Sequence, residues 1–129
     1  MGLKRINFTD LPVADYQRAL EFYRDTLGMG VQTDADYGPG GRWIFLTVPG
    51  AETMLHFVPS GQLTRPEGQP ALYLVCDDAD AEAARLKAAG VAIHSGPDDA
   101  PWDPTVRWVM IHDSEGNLVL LQSSQSEGA

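Results

Sequence analysis

The chain has 129 residues, 43% of them apolar, so it has the size of one domain with enough hydrophobic side chains for a core. Its formal net charge is −9 and its isoelectric point is near 4.5, which argues against nucleic acid and anionic membranes as partners because like charges repel. The single cysteine, Cys76, cannot form an intrachain disulfide, and neither a membrane-length apolar segment nor a signal-peptide run is present, so we expect a soluble cytoplasmic protein.

The first half of the chain predicts the order strand, helix, strand, strand, strand. Apolar residues alternate in the segment 5–13, which favours a strand. Asp15 is suited to cap the following helix, and Gly28 is suited to end it. The next three strands are predicted at 29–33, 42–48 and 53–58.

The second half repeats this order after a polar linker, residues 59–70. A strand at 71–76 precedes a helix that is capped by Asp77 or Asp78 and ends at Gly90. The remaining predictions are strands at 91–94, 106–112 and 118–122, a proline-interrupted loop at 96–104, a turn at 113–117 and a disordered tail at 123–129.

The two halves align with each other over most of their length. Phe8 aligns with Ala71 at an offset of 63 residues, and His56 aligns with Leu120 at an offset of 64. A repeat of this length indicates duplication of a βαβββ module, here 5–58 and 71–122. We therefore predict an α+β fold in which the two modules form a curved mixed sheet, with helices outside and a concave trough inside as the binding site.

Two motifs lie near the ends of the repeat. The first is Leu11-Pro12-Val13-Ala14-Asp15, continued by Ala19, Phe22-Tyr23 and Leu27-Gly28. The second is Asp113-Ser114-Glu115-Gly116-Asn117, followed by Leu118 to Leu121. They resemble the opening signature and the closing "DPDGN" turn of the vicinal oxygen chelate superfamily (glyoxalase/bleomycin resistance protein/dioxygenase), with Ser114 in place of the proline. The resemblance covers Arg5 to Gln122 and implies the fold, but the superfamily includes lyases, dioxygenases, thiol transferases and drug-binding proteins.

The resemblance also implies four strand positions that hold a divalent metal ion in the enzymes. Here they carry Phe8, His56, Ala71 and Leu120, and of these only the histidine has a lone pair to offer. A metal site needs three or four converging ligands, and shifting the alignment by one residue does not supply them. We therefore expect no metal and no cofactor.

His56 has two interpretations. It is either a ligand contact or lone base, or a half-buried histidine bonded to backbone or water. Asp10 is able to face the same trough, and a histidine–carboxylate pair would suit general base catalysis if the two side chains met. The sequence leaves that contact open, and it favours a structural or solvent role for His112 and a surface position for His94.

The residues predicted to bind a ligand are mostly aromatic or apolar. They are Phe8, Tyr37, Trp43, Phe45, Met54, His56, Tyr73, Trp102, Trp108, Met110 and Leu120. Flat rings offer a large stacking area at little entropic cost, which suits planar ligands. For each one, ordinary core or dimer packing is the alternative, and for Tyr37 with its glycines the alternatives are a flap and a tight hairpin connection.

The first functional hypothesis is sequestration of an aromatic or polycyclic antibiotic without a metal, as in the drug-binding branch that the chain resembles. That branch implies a homodimer, and pairing would cover exposed sheet edges. The alternatives are a glyoxalase-like lyase or dioxygenase with relocated ligands, a metal-free isomerase that uses His56, and a regulatory subunit without a small-molecule site. The sequence does not decide whether the modules pair within one chain or between chains.

Overall fold

The computed structural model describes residues 2–36 and 42–124, and it divides into two compact units between Thr64 and Arg65. The elements of the first module are β1 (Phe8–Val13), α1 (Tyr16–Glu21), a π-helical turn (Phe22–Thr26), β2 (Gly30–Asp36), β3 (Arg42–Thr47) and β4 (Met54–Pro59). Those of the second are β5 (Leu72–Val75), α2 (Ala79–Ala88), β6 (Ile93–Ala100), β7 (Asp103–His112) and β8 (Leu118–Ser124). The predicted α+β class and the βαβββ order of each module are confirmed.

Each module forms a four-stranded mixed sheet with the same topology. The orders are β1-β4-β3-β2 and β5-β8-β7-β6, and in both sheets the first strand pairs in parallel with the last. Asp10 lies opposite His56 in the first ladder, and Tyr73 lies opposite Leu120 in the second, at the offsets of 63 and 64 residues found in the sequence. The repeat therefore extends to the register of the strands.

Both helices begin where the sequence predicts a cap. The carboxylate of Asp15 accepts a hydrogen bond from the Arg18 N–H at 3.0 Å, and that of Asp78 accepts from the Ala81 N–H at 3.1 Å. Each bond satisfies a backbone donor that the first helical turn leaves without a partner. Asp78, rather than Asp77, is thus the N-cap of α2.

The first helix differs from the prediction in its second half. The α-helix ends at Glu21, and the chain widens into a π-helical turn in which the Leu27 N–H donates to the Phe22 carbonyl at 3.0 Å. Tyr23 is fully buried in this turn, with its ring 6.1 Å from that of Phe57.

The core of the first module lies on one face of its sheet. Leu11, Ile44, Leu46, Leu55 and Phe57 are at most 4% exposed. Because side chains alternate between the two faces of a strand, their neighbours in sequence point to the opposite face. That alternation places Phe57 in the core and His56 on the open face of the sheet.

The prediction of a loop at 96–104 is wrong. Residues 93–100 and 103–112 pair as an antiparallel hairpin, although Pro97 and Pro104 lie within its strands. β6 is the edge strand of its sheet and its register shifts between Ser95 and Asp98, so a residue without an N–H is tolerated there. Gly96 has a φ of +81°, and a Cβ at this position would lie 2.8 Å from the Trp108 carbonyl oxygen, so the close approach of β7 requires glycine.

The last strand is also longer than predicted. Ser123 and Ser124 pair with β7, and the Ser123 hydroxyl accepts a hydrogen bond from the Ala79 N–H at 2.9 Å. The first two residues of the predicted tail are therefore structured, because Ser123 satisfies the free end of α2. Residues 125–129 lie outside the described part of the chain.

The turn before β8 matches the predicted turn at 113–117. The buried Asp113 carboxylate accepts hydrogen bonds from the backbone N–H groups of Glu115 and Asn117, both at 2.8 Å, and from the Asn117 amide at 2.9 Å.

Within the described ranges, no helix combines the length and the apolar character that crossing a membrane requires.

Candidate functional site

The open face of the first module carries a cluster of rings. β1 contributes Phe8, β3 contributes Trp43 and Phe45, and β4 contributes His56; we call these four side chains the aromatic cluster. The rings of β3 and β4 share a face because they alternate with residues buried on the opposite side, and Phe8 joins that face through its ring contacts with Phe45 and His56. The strand order β1-β4-β3 places the histidine strand between the two strands that carry the other rings.

The rings of the aromatic cluster contact one another in two ways. The His56 ring stacks at 4.7 Å from the Phe45 ring and 5.2 Å from the Trp43 ring, with interplanar angles of 24° and 29°. Phe8 approaches edge-on, 5.2 Å from Phe45 and 5.1 Å from His56. These distances lie in the range where offset-stacked and edge-to-face arrangements are attractive, so the ring contacts stabilise the cluster.

The outer rings of the cluster remain open to solvent. Trp43 is 43% exposed and Phe8 is 38% exposed, whereas the His56 side chain is 13% exposed. Apolar rings that lie together and stay accessible to solvent are candidates for a binding surface. The cluster therefore offers a flat molecule aromatic area that it would remove from water.

Asp10 and His56 meet, which the sequence left open. The carboxylate Oδ1 and the imidazole Nδ1 are 2.8 Å apart, across the parallel ladder in which the two residues lie opposite each other. The bond fixes the orientation of the imidazole ring within the cluster. A histidine oriented by a carboxylate is suited to accept a proton or a hydrogen bond with its other nitrogen.

The second module presents a related but different face. Tyr73 and Met110 flank Leu120 in the sheet, Trp108 lies two residues before Met110, and Ala71 precedes β5. Tyr73 is 63% exposed, and the Trp108 indole N–H donates to the Asp99 carbonyl at 3.2 Å. This face repeats the apolar character of the first module but replaces the Asp10–His56 pair with Tyr73 and Leu120.

The other three predicted site residues lie in different places. Met54 is opposite Phe8 in the first sheet, on the face of the aromatic cluster. Trp102 is at the turn of the β6–β7 hairpin and is 63% exposed. Tyr37 and the proposed flap of residues 37–41 lie outside the described residues.

A pair of histidines in the second module was missed. The His94 and His112 rings are 5.4 Å apart and edge-on, and His94 Nδ1 is 2.9 Å from the Ser95 hydroxyl. Both histidines lie in strands that the sequence predicted, at 91–94 and 106–112, but the sequence did not predict the register that brings them together.

A groove of about 570 Å³ in the second module was also missed. It runs between α2 and β6, with Asp80 and Lys87 on the helix and Ile93 and Pro97 on the strand among its lining residues. Its described lining contains none of the predicted site residues. Pro97 lies in the segment that was predicted as a loop, so the sequence did not place it beside α2.

In the second module, an ion pair between β7 and α2 links the sheet to the helix. Arg107 of β7 makes two hydrogen bonds to Asp80 of α2, at 2.8 and 3.1 Å, and these hold the pKa of the Asp80 carboxyl below its usual value.

Burial, with a contribution from the nearby Glu82 charge, raises the pKa of the Cys76 thiol. The thiol is therefore protonated at neutral pH and a poor nucleophile.

The residues at the four implied metal positions do not fit a metal ion. Phe8, Ala71 and Leu120 supply no donor atom, and one nitrogen of His56 is bonded to Asp10. In the described ranges, no group of three or more His, Cys, Asp or Glu side chains is placed to hold an ion. A structural or catalytic centre of this type needs at least three protein ligands.

Comparison with known proteins agrees with this fold over nearly the whole chain. A family model described as the Glyoxalase/Bleomycin resistance protein/Dioxygenase superfamily matches residues 5–121. An uncharacterized protein of Bacillus subtilis (strain 168), YetH, is 27% identical over 121 residues, which are 93% of this chain and 98% of YetH. The crystal structure of TnmS3, an antibiotic binding protein from Streptomyces sp. CB03234, is 34% identical, with a TM-score of 0.82 and coverage of 97% of this chain and 99% of TnmS3. A superfamily member from Sphaerobacter thermophilus DSM 20745 is 25% identical, with the same TM-score and coverage of 96% and 100%.

Proposed function

This chain belongs to the glyoxalase/bleomycin resistance protein/dioxygenase superfamily, and on that premise we propose that it binds and sequesters a small aromatic or polycyclic molecule, such as an antibiotic, without a metal ion. The observation that carries the proposal is the aromatic cluster, whose outer rings Trp43 and Phe8 remain about two-fifths exposed. A ligand stacked on these rings would remove them from water and add ring contacts. The likeness to TnmS3, an antibiotic binding protein, supports the same ligand class.

The proposal includes a cytoplasmic homodimer. Support comes from the edge strands β1 and β5, because Ile6 just before β1 and Tyr73 and Val75 within β5 are more than 60% exposed. An exposed edge with apolar side chains is costly to leave uncovered, and a second chain would cover it. A monomer mass in sedimentation at micromolar protein concentration would remove this part of the proposal.

The proposal predicts saturable quenching of tryptophan fluorescence by planar ligands. Replacing Trp102 and Trp108 with phenylalanine leaves Trp43 as the reporter, since the chain has three tryptophans. Titration of this variant with a panel of polycyclic aromatic antibiotics should quench its emission at micromolar drug for at least one member. The matched control is a variant that retains Trp102 and Trp108 but carries Trp43→Phe, in which the cluster contribution to quenching should be missing. If no member of the panel changes the emission of the Trp43 reporter, the proposal that an antibiotic binds at the cluster is wrong.

A second candidate function is a metal-free isomerase that uses His56 as its base. The hydrogen bond of 2.8 Å between Asp10 and His56 favours it, because an oriented imidazole is able to take a proton from an acidic C–H group. The electron pair of the C–H bond would be held as an enolate beside a carbonyl group, and return of the proton to the far end of a conjugated double bond would shift that bond and complete the isomerisation. Incubation of a bound ligand in D₂O separates the two functions: an isomerase would exchange the acidic hydrogen for deuterium faster than a His56→Phe variant does, whereas a binding protein would not.

A further inference from the structure

We infer that His56, held by Asp10, makes the aromatic cluster selective for ligands that carry a hydrogen-bond donor, such as a phenolic hydroxyl, on the ring system. The inference rests on the proposed function, because it assigns the polar contact that a ligand makes within the same cluster. It names His56 as the group that contacts the ligand and Asp10 as the residue that positions it.

The contact between Asp10 and His56 determines which imidazole nitrogen carries the hydrogen. An ionised carboxylate only accepts hydrogen bonds, so at 2.8 Å the hydrogen between the two side chains belongs to Nδ1. In the neutral imidazole the other nitrogen, Nε2, then has a lone pair and acts as an acceptor. The pair therefore converts an ambiguous side chain into one with a defined polarity.

The Nε2 atom of His56 is available to a ligand. Across residues 2–36 and 42–124, each buried side-chain nitrogen or oxygen has a hydrogen-bond partner, and within these ranges Nε2 of His56 has none. Nε2 is therefore in contact with solvent, on a side chain that is otherwise mostly covered by Trp43, Phe45 and Phe8.

A ligand that covers the cluster takes Nε2 out of water. An acceptor left without a partner costs free energy, so a molecule that donates to Nε2 is favoured over one that does not. A molecule that presents only an acceptor places one lone pair against another and is disfavoured. Stacking on the exposed rings and donation to Nε2 together define the ligand class as hydroxylated planar aromatics.

Two matched probes test the inference: 2-naphthol, which carries a donor, and 2-methoxynaphthalene, whose oxygen only accepts. Binding is measured by fluorescence titration at pH 8. The wild-type protein should bind 2-naphthol about 3- to 10-fold more tightly, the range expected for one net hydrogen bond. His56→Phe keeps a ring in the stack but removes Nε2, so the ratio of the two affinities should fall to about one.

The role of Asp10 is tested by Asp10→Asn. The amide can accept from the Nδ1 hydrogen with its oxygen or donate to Nδ1 with its nitrogen, so it no longer fixes the imidazole hydrogen on Nδ1. The preference for 2-naphthol should then be smaller than in the wild-type protein. Asp77→Asn makes the same change of charge at an exposed residue outside the cluster, and it should keep the wild-type ratio.

A measurement on the protein without ligand tests whether Asp10 positions the imidazole hydrogen or has only a structural role. The ¹⁵N shifts of the His56 ring should show hydrogen on Nδ1 in the wild-type protein and a mixture of both tautomers in Asp10→Asn. Hydrogen on Nε2 of the wild-type protein would overturn the inference, as would equal binding of both probes or tighter binding of the ether; these outcomes leave the proposed function intact. If neither probe binds, both the inference and the proposed function lose their basis.

Discussion

Replacing Trp43 with alanine is expected to weaken the binding of a planar aromatic ligand by about 1–3 kcal/mol, the cost of removing an aromatic contact from an interface. Trp43 is the most exposed ring of the aromatic cluster, and it stacks on the His56 and Phe45 rings at 5.2 and 6.1 Å. Its removal takes away ligand contact area and part of the support for the imidazole. The measurement is the dissociation constant by calorimetry, where the change should be roughly 5- to 150-fold.

The matched control is Trp43→Phe, which keeps a flat ring in the stack and should retain most of the affinity. Replacing Trp102 or Trp108 with alanine tests separately whether the second module contributes to ligand affinity. The predicted site residues of that module imply that it does. A loss of affinity in these variants that equals the loss in Trp43→Ala would extend the site onto that module. Unchanged affinity in Trp43→Ala would show that the ligand binds somewhere other than the cluster.

Replacing Phe57 with alanine is expected to lower the free energy of unfolding by about 3–5 kcal/mol, the usual cost of truncating a buried phenylalanine. Phe57 is 1% exposed, and its ring lies 5.9 Å from the Tyr16 ring and 6.1 Å from the Tyr23 ring. The cavity opens between β4 and the first helix, where the neighbouring side chains have little freedom to collapse into it. Urea unfolding followed by circular dichroism measures the loss.

The adjacent residue provides the control because it lies on the other face of the same strand. His56→Phe should change the free energy of unfolding by less than about 1.5 kcal/mol, since a ring of similar volume remains in the stack. The two substitutions should therefore have different effects. Phe57→Ala lowers the free energy of unfolding, whereas His56→Phe lowers the selectivity for the ligand. A cost below about 1 kcal/mol for Phe57→Ala would contradict the packing between β4 and the helix.

The caps and turns of this chain were predictable because their signals are local. Asp15 and Asp78 bond to backbone groups three residues away, and Asp113 bonds within its own five-residue turn. Such bonds depend on side-chain chemistry at short separation, which the sequence displays directly. The length of β6 was not predictable in this way, because the strand tolerates Pro97 only as an edge strand with a shifted register.

The sequence by itself determined the two βαβββ modules, the beginning of each helix, and the apolar residues at three of the four implied metal positions. It determined them because periodicity, capping and residue type are properties of short segments. Only the tertiary structure decided that Asp10 meets His56 and that three rings surround the imidazole. Asp10 and His56 are 46 residues apart, and their contact follows from the parallel register of β1 and β4. Burial of Leu11 and Phe57 on the opposite face favours that register, and this packing involves residues that are distant in the sequence.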